Sequence, residues 1–268
     1  MKFCRAALIV FLILILCSCK DKDYTANKTE VRADITESYS LDSIPELYLS
    51  LANANIEIFT WNKDLIKFEV SKRLIGTSDR EELSNELGKY NIKINNEDLK
   101  IKITESYKGN TDNIIEKYAD IKIYTKNKMN VIKLKIKKGN VKFYDEMNSS
   151  LSTDFDKVDL EMNRFYGTVN VKSNLGNVSI KNSFLSGDTN IVLNNGNIYI
   201  KSEFDMRGIH KLKTKTGNID LIIPDAKNLA VNCKGNVETN EFEDLSINPI
   251  VHAESKIGII RVKKSSDF

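Results

Sequence analysis

In the stretch "VIKLKIKK" (131–138), three lysines alternate with aliphatic residues. Strand geometry puts Lys133, Lys135 and Lys137 on one outer face and Ile132, Leu134 and Ile136 on the inner one. Clustered ammonium groups attract polyanions, such as an anionic wall polymer or lipid headgroups, without needing fixed geometry. The competing reading is a solvated, charge-protected strand that resists edge pairing. From Lys89 to Lys142 there are fourteen lysines against six acidic residues, a net charge of +8. A second chemistry is offered by Asp220 and Glu238, which hold matching outward positions, with Lys211 and Arg261 on other strands. Stacked as a pair, the two carboxylates could do acid–base work on a polysaccharide; separately they would be solvated acids. His210 and His252 lack a second histidine at ligand spacing, and Cys233 has no cysteine to pair with, so neither metal, cofactor nor disulfide is expected. The sequence shows no Ser-His-Asp set, P-loop, Rossmann fingerprint or EF-hand loop.

The ends say where such groups would work. Lys2 and Arg5 precede a short apolar run, Ala6 to Cys17, after which charge returns abruptly. That is a signal-peptide pattern, too short for a comfortable permanent span. Its end, Leu16-Cys17-Ser18-Cys19, resembles the bacterial lipobox, with Cys19 as the lipid acceptor; an uncleaved N-terminal anchor is the alternative. Cutting before Cys19 leaves 38 Lys and Arg against 37 Asp and Glu, a near-neutral chain that gives no case for a nucleic-acid partner. Lys20 to Asp42 is polar and reads as a flexible tether.

The elements behind these residues come from a repeat. Aligned on glycine, nine units of the form G-x-φ-x-φ begin at Gly139, Gly167, Gly176, Gly187, Gly196, Gly208, Gly217, Gly235 and Gly258. The second residue after glycine is apolar in seven units and the fourth in eight, while the residue between is polar in all but one, Tyr199. Two interleaved glycine series, 167, 187, 208 and 176, 196, 217, advance by 20 or 21 residues. A fixed period with two short strands predicts a single-stranded β-solenoid of ~20-residue coils. Ile198 and Ile200 would then lie between Val178 and Ile180 on one side and Ile219 and Leu221 on the other. Asn follows glycine in five units, so stacked amides could bond along the axis. An antiparallel β-sandwich with Gly-Asn loops is the alternative.

The segment "LKTKTGNIDLIIPDAKNLAVNCKGNVETNEF" (212–242), with Thr-x-x-Gly-Asn-Ile, an aliphatic-Pro step and a second Gly-Asn-Val, resembles the bacterial envelope "putative adhesin" family with β-strand repeats, a domain of unknown function often borne by lipoproteins. The likeness covers about 47–263 and is strongest from Gly139; upstream, longer insertions separate the strands. It implies a solenoid-like fold and carries over no catalytic residues.

The expected organisation is a lipoprotein signal peptide (1–18), a flexible tether (19–42), an N-terminal β region (43–138) and a continuous Gly-Asn repeat (139–268). Ser78 and Glu81 form a capping box, which predicts a short helix near 79–88. The expected function is that of a non-enzymatic, lipid-anchored envelope protein on the outer face of the cytoplasmic membrane. As a rigid β module it would bind cell wall, an anionic polymer or a membrane protein. A stress sensor or accessory of a membrane complex, and a polysaccharide-active β-helix enzyme, are the alternatives.

Overall fold

A computed structural model describes residues 28–225, 229–243 and 248–266. The expected signal peptide, Cys19 and the start of the expected tether lie outside these residues. In chain order the elements are β1 (Thr29–Ser40), β2 (Glu46–Thr60), β3 (Leu65–Gly76), α1 (Arg80–Lys89), β4 (Tyr90–Glu97), β5 (Lys100–Tyr107), β6 (Ile114–Thr125), β7 (Lys128–Phe143), β8 (Met147–Asn163), β9 (Phe165–Gly167), β10 (Val169–Leu175), β11 (Val178–Leu185), β12 (Thr189–Asn195), β13 (Ile198–Phe204), β14 (His210–Thr216), β15 (Ile219–Pro224), β16 (Val231–Asn240) and β17 (Val251–Ser265).

Alternation of apolar and polar residues makes these strands, and pairing two strands on stacks them. Parallel neighbours need a long crossover, and here each crossover is itself a strand on the opposite wall. A first wall stacks β8, β10, β12, β14 and β17 in parallel, through their N-terminal halves where a strand is long. A second wall stacks β8, β11, β13, β15 and β17, using the C-terminal halves of β8 and β17. The inner side chains of both walls meet in one core.

The structure is not the expected β-solenoid. Because β8 and β17 belong to both walls, and β9 joins β8 to β11, the ladders close on themselves as a parallel barrel of nine strands, with outer strands and one helix added. Equating every glycine with a break between short strands caused the error. Gly139 and Gly258 instead sit inside β7 and β17, bending strands of 16 and 15 residues that continue through the corner. The antiparallel sandwich fails too, since every ladder of the repeat is parallel. The residue pairing read from the repeat is nevertheless present: Ile198 opposes Val178 and Ile219, and Ile200 opposes Ile180 and Leu221.

At the corner, Gly196 has φ +147°, and a Cβ there would lie 1.8 Å from the Gly176 carbonyl oxygen. Beside it the amides form a ladder: Asn197 Nδ2 donates to Asn177 Oδ1 at 3.1 Å, and Asn177 Nδ2 to Asp159 Oδ1 at 3.0 Å. The unit at Gly235 departs from the pattern. Its Val237 is 40% exposed, because β16 lies outside the barrel, pairs with β17 and is interrupted there by register shifts.

Upstream, β7 pairs with β8 and β2 with β7, all in parallel. β5 and β4 extend the first wall, and β6, β3 and β1 the second. Residues 29–40, read as part of a structureless tether, form β1 antiparallel to β3; Val31, Ala33, Ile35 and Tyr39 turn inward between polar residues. The helix also differs by one residue: its N-cap is Asp79, whose Oδ1 accepts from Glu82 N at 2.9 Å, rather than Ser78. Leu83 and Leu87 are buried, and Lys72 Nζ donates to the carbonyls of Leu87 and Tyr90 at 3.2 and 2.7 Å, fixing the far end of α1.

Candidate functional site

Outward residues of the first wall fall into rows that cross the strands. In one row Lys102 (β5) opposes Tyr48 (β2), Tyr48 opposes Lys133 (β7), and Lys133 opposes Ser152 (β8). One step along the strands, Ser50 opposes Lys135, and Asp154 stands between Lys135 and Lys172 (β10). Ser50 and Ser152 are too short to fill the space between Tyr48 and the lysines. The result is an open groove of about 520 Å³, lined by Tyr48, Lys102, Lys133, Lys135 and Lys172.

The Tyr48 ring holds two cations, Lys100 Nζ at 5.2 Å and Lys133 Nζ at 5.4 Å from its centroid. Its hydroxyl donates to Glu46 Oε2 at 2.8 Å. That hydrogen bond raises the phenol pKa and lowers that of the Glu46 carboxyl. Within the groove, Lys135 lies 3.9 Å from Asp154, while Lys102 reaches Glu97 at 3.1 Å. Four lysines against one lining carboxylate leave the groove cationic, open and suited to holding anionic groups through long-range attraction.

Of the residues expected from sequence, Lys133 and Lys135 line this groove, whereas Lys137, though exposed, stands one row further along β7 and outside the lining. Sequence reading missed Lys102 and Lys172. Lys102 had a usable signal, since "KIKIT" (100–104) repeats the Lys-Ile alternation of β7. Nothing in the sequence said that β2 would bring β5 alongside β7.

The second expected constellation has a different form. Arg261 (β17) lies between β15 and β16, its Nη1 3.0 Å from Asp220 Oδ1 and its Nε 3.0 Å from Glu238 Oε2. The carboxylates therefore flank a guanidinium rather than each other, and their hydrogen bonds raise the Arg261 pKa. Lys211 is on the other wall, opposite His252. Outward Tyr199 packs sideways under Lys181 Nζ, 5.9 Å from its ring centroid. His210 is fully buried: Nε2 meets the Asp205 carbonyl at 2.9 Å, and Nδ1 has no partner. Burial pushes the Cys233 thiol up to about 11. Among the described residues no three His, Cys, Asp or Glu side chains are grouped to hold a metal, and no helix is long and apolar enough to cross a membrane.

No family model and no curated protein matches the chain. Among solved structures it is similar to a "putative adhesin" from Parabacteroides distasonis, at 13% identity and TM-score 0.40, covering 86% of this chain and 97% of that one. A "putative cell adhesion protein" from Clostridium sporogenes matches at 16% identity and TM-score 0.32, over 88% of this chain and 100% of that one. A "putative lipid binding protein" from P. distasonis matches at 16% identity and TM-score 0.29, over 86% and 97%. These scores are low, and the fold and groove described above stand on this chain's own pairings.

Proposed function

We propose that this protein is a non-enzymatic binding module of the cell envelope, anchored through a lipid on Cys19, whose first wall holds an anionic polymer of the cell wall. The observation that carries this reading is the groove itself, where register brings Lys102, Lys133, Lys135 and Lys172 from three strands onto one concave surface around Tyr48. Carboxylates arranged for catalysis would favour the enzymatic alternative, but Asp220 and Glu238 are both committed to Arg261.

Co-sedimentation of the full chain, purified in non-ionic detergent, with cell-wall sacculi tests the reading. Saturable binding that needs the sacculi's anionic polymers, weakens with salt and is lost when the four groove lysines become Gln is the expected result. Equal pelleting of wild type and variant, or with stripped sacculi, would discard it. Anchoring has its own test: Cys19→Ala should move the protein from the membrane fraction to the soluble one.

A further inference from the structure

The groove is one end of a longer pattern. Followed across the wall, the second row reads Lys135 (β7), Asp154 (β8), Lys172 (β10), Val192 (β12), Lys213 (β14), Glu254 (β17), Lys234 (β16), each residue opposite the next. A lysine therefore occupies every second strand, and although Lys213 lies 3.1 Å from Glu254 and Lys135 3.9 Å from Asp154, four lysines to two carboxylates leave the row cationic. Neighbouring strands are about 4.8 Å apart, so successive lysines of the row stand roughly 10 Å apart and the four span about 29 Å. The first row adds Lys133, opposite Ser152, and Lys211, opposite Asn190.

All the cations of these rows are lysines. The arginines whose ion pairs lie on strands are on the second wall and bind carboxylates closely, Arg73 to Asp120 at 3.0 Å and Arg261 to Asp220 at 3.0 Å. A guanidinium fork fixes one planar partner, whereas an ammonium acts as a movable point charge. A line of evenly spaced ammonium groups suits a chain carrying many phosphates rather than one carboxylate in one pose.

Resting on the groove reading, we infer that the whole first wall is a linear track about 29 Å long, and that its ligand is an extended phosphate-bearing polymer lying across the strands, parallel to the stacking axis. Affinity then grows with polymer length, because each further phosphate in reach binds as an intramolecular event. Growth stops once the polymer spans the track.

The test uses the full chain in detergent with linear polyphosphates of graded length, inorganic phosphate, and vesicles with and without anionic lipid. Expected are negligible binding of inorganic phosphate, affinity that rises at least tenfold from chains shorter than 10 Å to chains of about 30 Å, and a plateau beyond. A distal variant, Lys213→Gln with Lys234→Gln, should lose at least threefold for long chains and nothing for short ones. Length-independent affinity, or a distal variant that binds long chains like wild type, would overturn the track while leaving the groove intact. Failure of every polyphosphate to bind would remove groove and track together. Tighter, lysine-dependent binding to anionic vesicles than to any polyphosphate would replace the polymer with a membrane surface.

Discussion

The two walls share one core, one repeat and one corner, yet their outer faces are built on different rules. Across the second wall the row Glu69, Lys122, Glu57, Lys142, Glu161 alternates in sign from strand to strand, with each residue opposite the next. Lys142 lies 3.1 Å from Glu161, and Lys122 lies 3.8 Å from Glu57. Next to it, Tyr144 stacks on Phe59 with centroids 4.6 Å apart, and Phe59 on Tyr124 at 5.2 Å. Cross-strand pairs of these kinds are what stabilise a sheet, so the second wall spends its outward positions on itself. The first wall does so only in part: Lys213 lies 3.1 Å from Glu254 and Lys135 3.9 Å from Asp154, but its row holds four lysines to two carboxylates, and Lys172 and Lys213 flank Val192 as Lys102 and Lys133 flank Tyr48. A surface whose lysines outnumber the carboxylates beside them keeps a surplus of positive charge for something outside the molecule.

What the walls share should give the largest effect. Ile198→Asp places a carboxylate among fully buried neighbours of both ladders, a loss of about 3–5 kcal/mol for an uncompensated buried charge. Thermal melting should show the protein unfolded or severely destabilised, whereas outward Tyr199→Ser should shift the midpoint little. Equal shifts at the two positions would refute the inward and outward assignment.

The corner that joins the walls comes next. Gly196→Ala would force a methyl against the Gly176 carbonyl oxygen from a backbone at φ +147°, a strain of roughly 1–3 kcal/mol. Denaturant melts should show that loss for Gly196→Ala, against no loss or a small gain for Gly88→Ala, a position in α1 where a Cβ meets nothing within 4 Å. Similar losses at both sites would mean that the corner tolerates side chains.

The barrel interior is not wholly apolar, and this sets a pH limit. Burial lowers the His210 pKa, with its hydrogen bond to the Asp205 carbonyl and the charges of Asp205 and Asp188 acting the other way. The folded protein thus holds His210 neutral while the unfolded chain takes up a proton near pH 6.5. Stability is greatest above that pH and declines as pH falls from 6.5 toward the depressed folded value. Melting midpoints between pH 7.5 and 5 should decline for the wild type more steeply than for His210→Gln. Identical slopes would show that His210 is not the group responsible.

How much of this was legible in the sequence differs between inside and outside. The inward residues could be read because burial imposes a period of two, and the 20-residue spacing put Ile198 beside Val178 and Ile219 as found. Closure could not be read, since it depends on β8 continuing past Lys157 into the second wall, and no glycine or other residue marks that corner in β8. Strand β1 was hidden by its polar outward half, although Val31, Ala33 and Ile35 alternate. Of the site, the lysines of β7 were legible as a local alternation. Lys102 and Lys172 were not, because only long-range register places them beside Lys133 and Lys135.

The smallest predicted effect separates the walls most directly. On the second wall Glu57→Lys would set three lysines, 122, 57 and 142, on adjacent strands, and would also remove the acceptor that takes the Tyr144 hydroxyl at 2.7 Å. Like charges directly opposite cost roughly 0.2–1 kcal/mol per pair, so a loss near 1 kcal/mol is expected in denaturant melts. On the first wall the reverse change, Lys133→Glu, puts a carboxylate opposite Tyr48 and Ser152, with Lys135 next along the strand. It removes the repulsion from Lys135 but gives up the contact with the Tyr48 ring and the attraction to Glu46, so the loss of stability should stay below that of Glu57→Lys, while polyphosphate binding falls severalfold. A first wall as sensitive to charge reversal as the second would mean that its lysines, too, hold the sheet together, and the contrast between cohesion and recognition would disappear.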